Sequence, residues 1–382
     1  MNKKYILWQF IVLVFVFSSC NALRYPGKRK GNNNTGTNTQ NQSSYPPQQP
    51  SVDEIPHAVS YDFKNASLAS SPMYGEKIIY APSDLKRSTG VYGSNTTFAG
   101  NKTDLQYFFT APNEKSNTKR PFVLLIHGGG FLAGSYKSSM APAMLFAQRG
   151  YAAASIDYRL GWNTGGSNPG SCKGDTISMY KAVYRATQDA RAALRYFVAN
   201  ADQFGIDTSQ IYIFGSSAGN ITAAAVTFMS QQDFDTKLPG IENSLGSLYT
   251  ASNNLRNDFH IKALLTVTGF GMVSKSFINS NNVVPVFFMV RANDPVLPYG
   301  HEPAFKCRNY FLLYGASEIK NVIKSYNMPY TLYTESGNMH KVGYSNDFIV
   351  GAMSSFIKRL WAGDYRFQEY ADYANKMDAK TL

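Results

Sequence analysis

Residues 210–228 read QIYIFGSSAGNITAAAVTF, and this stretch decides the fold. Ile211, Ile213 and the aromatics beside them make a short apolar, β-rich run of the kind a buried strand needs. Gly215-Ser216-Ser217-Ala218-Gly219 follows, then a segment of Ala, Thr and Val that suits a packed helix. Strand, G-x-S-x-G and helix in that order is the setting of a nucleophile elbow. Glycine is needed at both flanks because a Cβ there would strike the neighbouring strand or helix. The tight turn lifts the Ser217 hydroxyl clear of the sheet and sets it at the positive end of a helix dipole.

Working outward, Leu105–Thr110 is an early strand, and Pro121–Ile126 is apolar throughout, as a central parallel strand should be. His127-Gly128-Gly129-Gly130-Phe131 follows it, then a helix near 139–148 and a strand over 151–157. Val183, Ala186, Ala190, Leu194 and Phe197 recur at three- and four-residue steps, so 176–200 is an amphipathic helix. Beyond the elbow, 261–267 and 284–290 read as strands and 302–326 as a helix interrupted at Gly315. Residues 329–334 are a last strand and 344–361 a last helix. Strands alternating with helices imply a doubly wound, mostly parallel sheet covered on both faces. Its chemistry belongs at the carboxyl ends of the strands.

A serine hydroxyl needs a base, and the base an orienting acid. Of five histidines, His340 follows the last strand at the chemical end of the sheet; His301 is the lesser candidate. Asp294 follows strand 284–290 in Arg291-Ala-Asn-Asp294-Pro, a placement that also suits an Asx turn. The order Ser217, Asp294, His340 is that of an α/β hydrolase triad. Glycines after His127 bare their backbone N–H groups, so Gly129 and Gly130, with Ala218 after the serine, are the expected oxyanion donors. His127 braces this loop. Gly128, Gly130 and Ala133 also fit a dinucleotide fingerprint with Asp157 as its acid. Pro142, best tolerated in a first turn, delays the helix beyond the glycines and argues against a bound pyrophosphate.

The chain has 382 residues and a formal charge of +12, but its Lys and Arg are scattered; no nucleic-acid patch is expected. Three cysteines and five histidines without metal-ligand spacing give neither a metal site nor a cofactor. Lys3 and Lys4, the apolar run 5–17 and Ser18-Ser19-Cys20 form a secretory signal. This end resembles a bacterial lipoprotein box, with Phe17 where such boxes usually carry Leu. The resemblance implies lipidation of Cys20 and a lipid-anchored protein of the cell envelope, facing periplasm or surface. Residues 21–58 are rich in Asn, Gln, Thr and Pro and read as a disordered tether, leaving 59–382 as the folded domain. Export places Cys172 and Cys307 in an oxidising compartment, both towards the carboxyl edge of the sheet; a disulfide between them is expected, two separate thiols being the alternative.

HGGGF, DYRL at 157–160, YRATQDARAALRY at 184–196, GSSAGN and the Asp294 and His340 loops together resemble the α/β-hydrolase superfamily. Within it they are similar to the carboxylesterases of the hormone-sensitive-lipase-like and type-B-like groups. The resemblance implies a serine ester hydrolase of small-molecule or glycan esters. The residue before the serine is often acidic in such families but is Ser216 here, which leaves the substrate open. A carbohydrate esterase removing acetyl or feruloyl groups is one alternative, with the loop 162–174 as an open rim for a sugar. A non-catalytic binding protein on a hydrolase scaffold is the other.

Overall fold

The computed structural model describes residues 63–114 and 119–372. The expected signal peptide with Cys20, the tether 21–58 and the boundary at residue 59 lie outside the described residues. The strands are β1 (Leu85–Thr96), β2 (Lys102–Pro112), β3 (Arg120–Ile126), β4 (Ala152–Ile156), β5 (Ile206–Ser216), β6 (Ile261–Val267) and β7 (Val286–Arg291). They continue with β8 (His301–Pro303), β9 (Leu312–Tyr314), β10 (Tyr330–Glu335) and β11 (Phe367–Ala371). Nine of them form one sheet in the order β1-β2-β4-β3-β5-β6-β7-β10-β11, while β8 and β9 pair as a separate hairpin. Neighbours from β4 to β11 run parallel; β2 is antiparallel to both β1 and β4.

The helices are α1 (Ala66–Ser70), α2 (Met140–Ala147), α3 (Thr176–Ala199), α4 (Ala201–Phe204), α5 (Ala218–Phe228), α6 (Gln231–Lys237), α7 (Ile241–Leu245), α8 (Ala316–Ser325) and α9 (Asn346–Ala362). Helix α2 packs on α9 and α3 packs on α5. This layering follows from the strands: every side chain of β3 is buried, whichever face it points to. Each fully buried Leu, Ile, Val or Phe contributes about 1.5–3 kcal/mol, so a two-faced apolar strand demands helices on both sides. The result is the α/β-hydrolase fold. Among the described residues no helix is long and apolar enough to cross a membrane.

Several elements differ from the sequence reading, among them one expected helix and two edge strands. The expected helix over 302–326 is helical only in α8; its first half is the β8–β9 hairpin. Phe305 and Lys306 have φ of 56° and 57°, in the left-handed region that a helix cannot pass through. Edge strands β1 and β11 were not anticipated. Most of their side chains are exposed or half-buried, so neither carries the apolar run that marks a central strand.

Candidate active site

The central strands β3, β5, β7 and β10 each end in a loop that carries one part of the site. At the end of β5, Ser217 has φ 54° and ψ −119°, a conformation that costs a non-glycine residue about 1–3 kcal/mol. Backbone crowding explains the glycines around it. A Cβ on Gly215 would collide with Gly219 and Asn220 of α5, and one on Gly219 with the carbonyls of Ile126 and His127. Asn220 secures the turn from behind. Its buried amide donates to the carbonyl oxygens of Val267, the last residue of β6, at 2.7 Å and of Gly269, just past it, at 2.6 Å.

The Ser217 Oγ lies 2.6 Å from Nε2 of His340. The other ring nitrogen, Nδ1, is 2.8 Å from Asp294 Oδ2 and 2.9 Å from Oδ1. Asp294 is buried, whereas the His340 side chain keeps 25% of its surface exposed. Asp294 also accepts the N–H groups of Val296 at 2.7 Å and Leu297 at 3.1 Å through Oδ1. The Asx turn and the contact with histidine therefore coexist, and the turn aims the carboxylate. His301 is elsewhere, stacked on Tyr314 with ring centroids 3.9 Å apart.

The glycine loop after β3 lies against the elbow. A Cβ on Gly128 would sit 2.9 Å from Ser216 O and 3.0 Å from Ser217 Cβ. Gly129 and Gly130 have φ of 112° and 63°, which glycine adopts without strain. Among the described residues the amides of Gly129, Gly130 and Ala218 donate to no backbone acceptor. Ala218 is the first residue of α5, where an orphan N–H is expected. Two aromatics unassigned from sequence brace the loop: Tyr158 donates to His127 O at 2.9 Å, and Trp162 Nε1 to Gly130 O at 2.9 Å. Trp162 is buried, as is Gly174, while residues 163–173 of the same loop are exposed or half-buried. His127 stacks on Tyr158 and places Nδ1 2.6 Å from Gly128 O; since a carbonyl can only accept, Nδ1 carries the proton. Burial pushes this imidazole below its ordinary pKa, against the opposing pull of the Gly128 carbonyl.

Two charged residues that the sequence reading passed over hold the histidine loop. Glu335, at the end of β10, accepts the Gly343 N–H at 2.7 Å and faces Arg291 of β7 at 3.1 Å. The available signal was a charge of each sign at the carboxyl ends of two neighbouring apolar strands. Cys172 and Cys307 are joined, with Cα atoms 5.2 Å apart, so the loop after β4 is fastened to the β8–β9 hairpin. The dinucleotide geometry is absent here: α2 begins only at Met140, and Asp157 accepts the Tyr136 N–H at 2.7 Å. No group of three or more potential metal ligands occurs among the described residues.

Residues 105–238 match the Carboxylesterase family, and residues 177–300 match the family BD-FAE. Arylacetamide deacetylase-like 2 of Homo sapiens is 30% identical over 152 residues, 38% of this chain and 32% of that protein. Carboxylesterase 1C of Rattus norvegicus is 30% identical over 111 residues, 29% of this chain and 18% of that protein. The chain thus spans about a third or less of the length of these curated relatives. Among solved structures, Thermogutta terrifontis esterase 2 phosphorylated by paraoxon aligns with 73% of this chain and 92% of its own, at 17% identity and a TM-score of 0.43.

Proposed function

We propose that the chain is a serine carboxylic-ester hydrolase working through an acyl-enzyme. The observation that carries this reading is the continuous relay from Ser217 Oγ to His340 Nε2 at 2.6 Å and from His340 Nδ1 to Asp294 at 2.8 Å. Ser217 attacks the ester carbonyl while His340 takes its proton and returns it to the departing alcohol. Asp294 holds the ring with Nε2 towards the serine and stabilises the imidazolium as it forms. Gly129, Gly130 and Ala218 donate to the oxyanion, each such donor supplying about 3–4 kcal/mol to the transition state. Water then attacks the acyl-Ser217 ester, with His340 as base again. The matches over 105–238 and 177–300 support the same class of reaction.

The ester belongs to a small molecule or a glycan, and the enzyme works in the cell envelope, held by lipid on Cys20. The anchoring half of this reading rests on residues 1–20 alone. A fluorophosphonate probe tests the chemistry. It should label wild-type protein at Ser217 and leave Ser217→Ala unlabelled, and p-nitrophenyl acetate turnover should vanish with the label. Equal labelling of the two proteins would remove Ser217 from the mechanism.

A further inference from the structure

The glycine loop after β3 turns on a residue ill suited to the turn. Gly129 O accepts the N–H groups of Leu132 at 3.0 Å and Ala133 at 3.2 Å. The first two residues enclosed, Gly130 and Phe131, have φ of 63° and 62°. Positive φ at both central positions is the pattern of a type I′ turn, which suits Asn-Gly and not a bulky ring. Phe131 is buried in a conformation rare for an aromatic residue, so the turn needs holding from outside. The hold matters because a trans peptide sets its N–H opposite its C=O. The carbonyl of Gly129 and the N–H of Gly130 share one such plane. Relaxation of Phe131 out of the left-handed region would swing that plane and the amide in it.

The outside hold comes from the loop after β4. Phe131 O accepts the Gly161 N–H at 2.7 Å, and Gly130 O accepts the Trp162 Nε1–H at 2.9 Å. Both central carbonyls of the turn are thus taken, one of them by a side chain. Trp162 is buried and backed in turn by Tyr310, whose ring meets it edge-on with centroids 5.7 Å apart. The space is closed: a Cβ on Gly174 would sit 2.5 Å from Trp162 Cζ3 and 2.6 Å from the Tyr310 hydroxyl. That hydroxyl donates to Pro169 O at 2.9 Å and accepts the Gly174 N–H at 3.1 Å. Tyr310 follows Cys307 and Gly174 follows Cys172 within one turn of chain, so the disulfide closes over this contact.

We propose that Trp162 is a positioning residue for the amides of Gly129 and Gly130, and that the Cys172–Cys307 bond acts on turnover through Tyr310 and Trp162. The proposal rests on the ester-hydrolase reading, in which those amides hold the oxyanion. Trp162 acts through the Gly130 carbonyl and not on a reacting atom; it keeps the turn in the form that presents the donors.

Trp162→Phe keeps a ring and removes the N–H. With p-nitrophenyl acetate its kcat should fall ~10- to 100-fold, less than the loss of a donor itself, with KM within about twofold. The pH profile of kcat should keep its midpoint, because the contact between His340 and Asp294 is untouched. A trifluoromethyl ketone reads the donors directly. The Ser217 oxygen bonds to its carbonyl carbon, the Ser217 proton passes to His340, and the charged carbonyl oxygen occupies the donor site. Its Ki should rise by the factor by which kcat/KM falls. Tyr310→Phe, which removes one oxygen atom, should lower kcat about threefold and repeats the test where Trp162→Phe does not fold. Replacing Cys172 and Cys307 together by Ser should lower kcat about fivefold in wild type but by less than about twofold in Trp162→Phe, where it has nothing left to act through. Unchanged kcat in Trp162→Phe, or in Tyr310→Phe where the first does not fold, overturns the positioning role, as does a Ki that does not follow kcat/KM. Equal losses from the cysteine pair in both backgrounds overturn the route from the disulfide. Wild-type protein that neither turns over p-nitrophenyl acetate nor takes the fluorophosphonate label sinks the ester-hydrolase reading itself, a result distinct from an active wild type that is indifferent to Trp162.

Discussion

The two halves of the site are held by different means. The Ser217 half, from the ends of β3 and β5 into α5, is backbone packed on backbone: a Cβ on Gly215 or Gly219 has nowhere to go. The half with Asp294 and His340, on loops after β7 and β10, is held by side chains. Asp294 accepts two loop amides, Glu335 accepts Gly343 N–H and faces Arg291, and the loops are partly solvent-exposed. A glycine there tells the difference. A Cβ on Gly343 would meet only the movable ends of Glu335 and Arg291, at 2.9 and 3.4 Å. Steric construction is all-or-none, because dense backbone contacts have no slack. Polar construction is graded, because each hydrogen bond contributes about 0.5–1.5 kcal/mol and can be removed singly.

That contrast fails at once if the relay is not the working unit. Ser217→Ala and His340→Ala should each lower kcat by ~10⁴- to 10⁶-fold with unchanged circular dichroism, whereas His301→Ala should leave p-nitrophenyl acetate kcat within about tenfold. The reverse ranking of the histidines would move the base to the hairpin. Next in size, Gly219→Ala should destabilise by about 3–5 kcal/mol, read as a fallen melting temperature or loss of soluble protein. A variant as stable as wild type would show that the elbow has slack after all.

The loop half should yield in smaller steps. Replacing Cys172 and Cys307 together by Ser should cost about 2–4 kcal/mol in a denaturant titration, since the bond closes a loop of 135 residues. An unchanged midpoint would mean that the hairpin is held without the bond. Glu335→Gln keeps an acceptor for Gly343 but leaves Arg291 without its anion, so kcat should fall ~10-fold with KM little changed. A change confined to KM would place Glu335 in substrate binding and not in holding the histidine loop. The smallest effect belongs to Gly343→Ala, at most about 1 kcal/mol in the same denaturant titration, and its gap from Gly219→Ala measures the contrast directly.

Most of the Ser217 half is readable along the chain because its constraints are local. Two glycines flank a serine between an apolar strand and a small-residue helix, and that pattern implies a turn with no space for a Cβ. The apolar runs likewise locate β3 and the buried stretches of β5, β6 and β7, since a strand buried on both faces is apolar over most of its length. Edge strands β1 and β11 escape such reading because one row of side chains meets solvent and the other needs only partial cover. The first half of the expected 302–326 helix failed for a related reason. Left-handed residues at 305 and 306 and the bond at Cys307 belong to a hairpin whose partners are distant in the chain.

By itself, then, the sequence determined the strand–turn–helix unit around Ser217, the glycine loop and the apolar central strands, because steric exclusion at glycines and burial of apolar runs act between near neighbours. Only the tertiary structure decided which aromatics brace the glycine loop, that Glu335 and Arg291 hold the histidine loop, and that Tyr310 of the hairpin packs on Trp162. Those contacts join elements tens to more than a hundred residues apart, and a side chain's partner at that distance depends on how the sheet orders its strands.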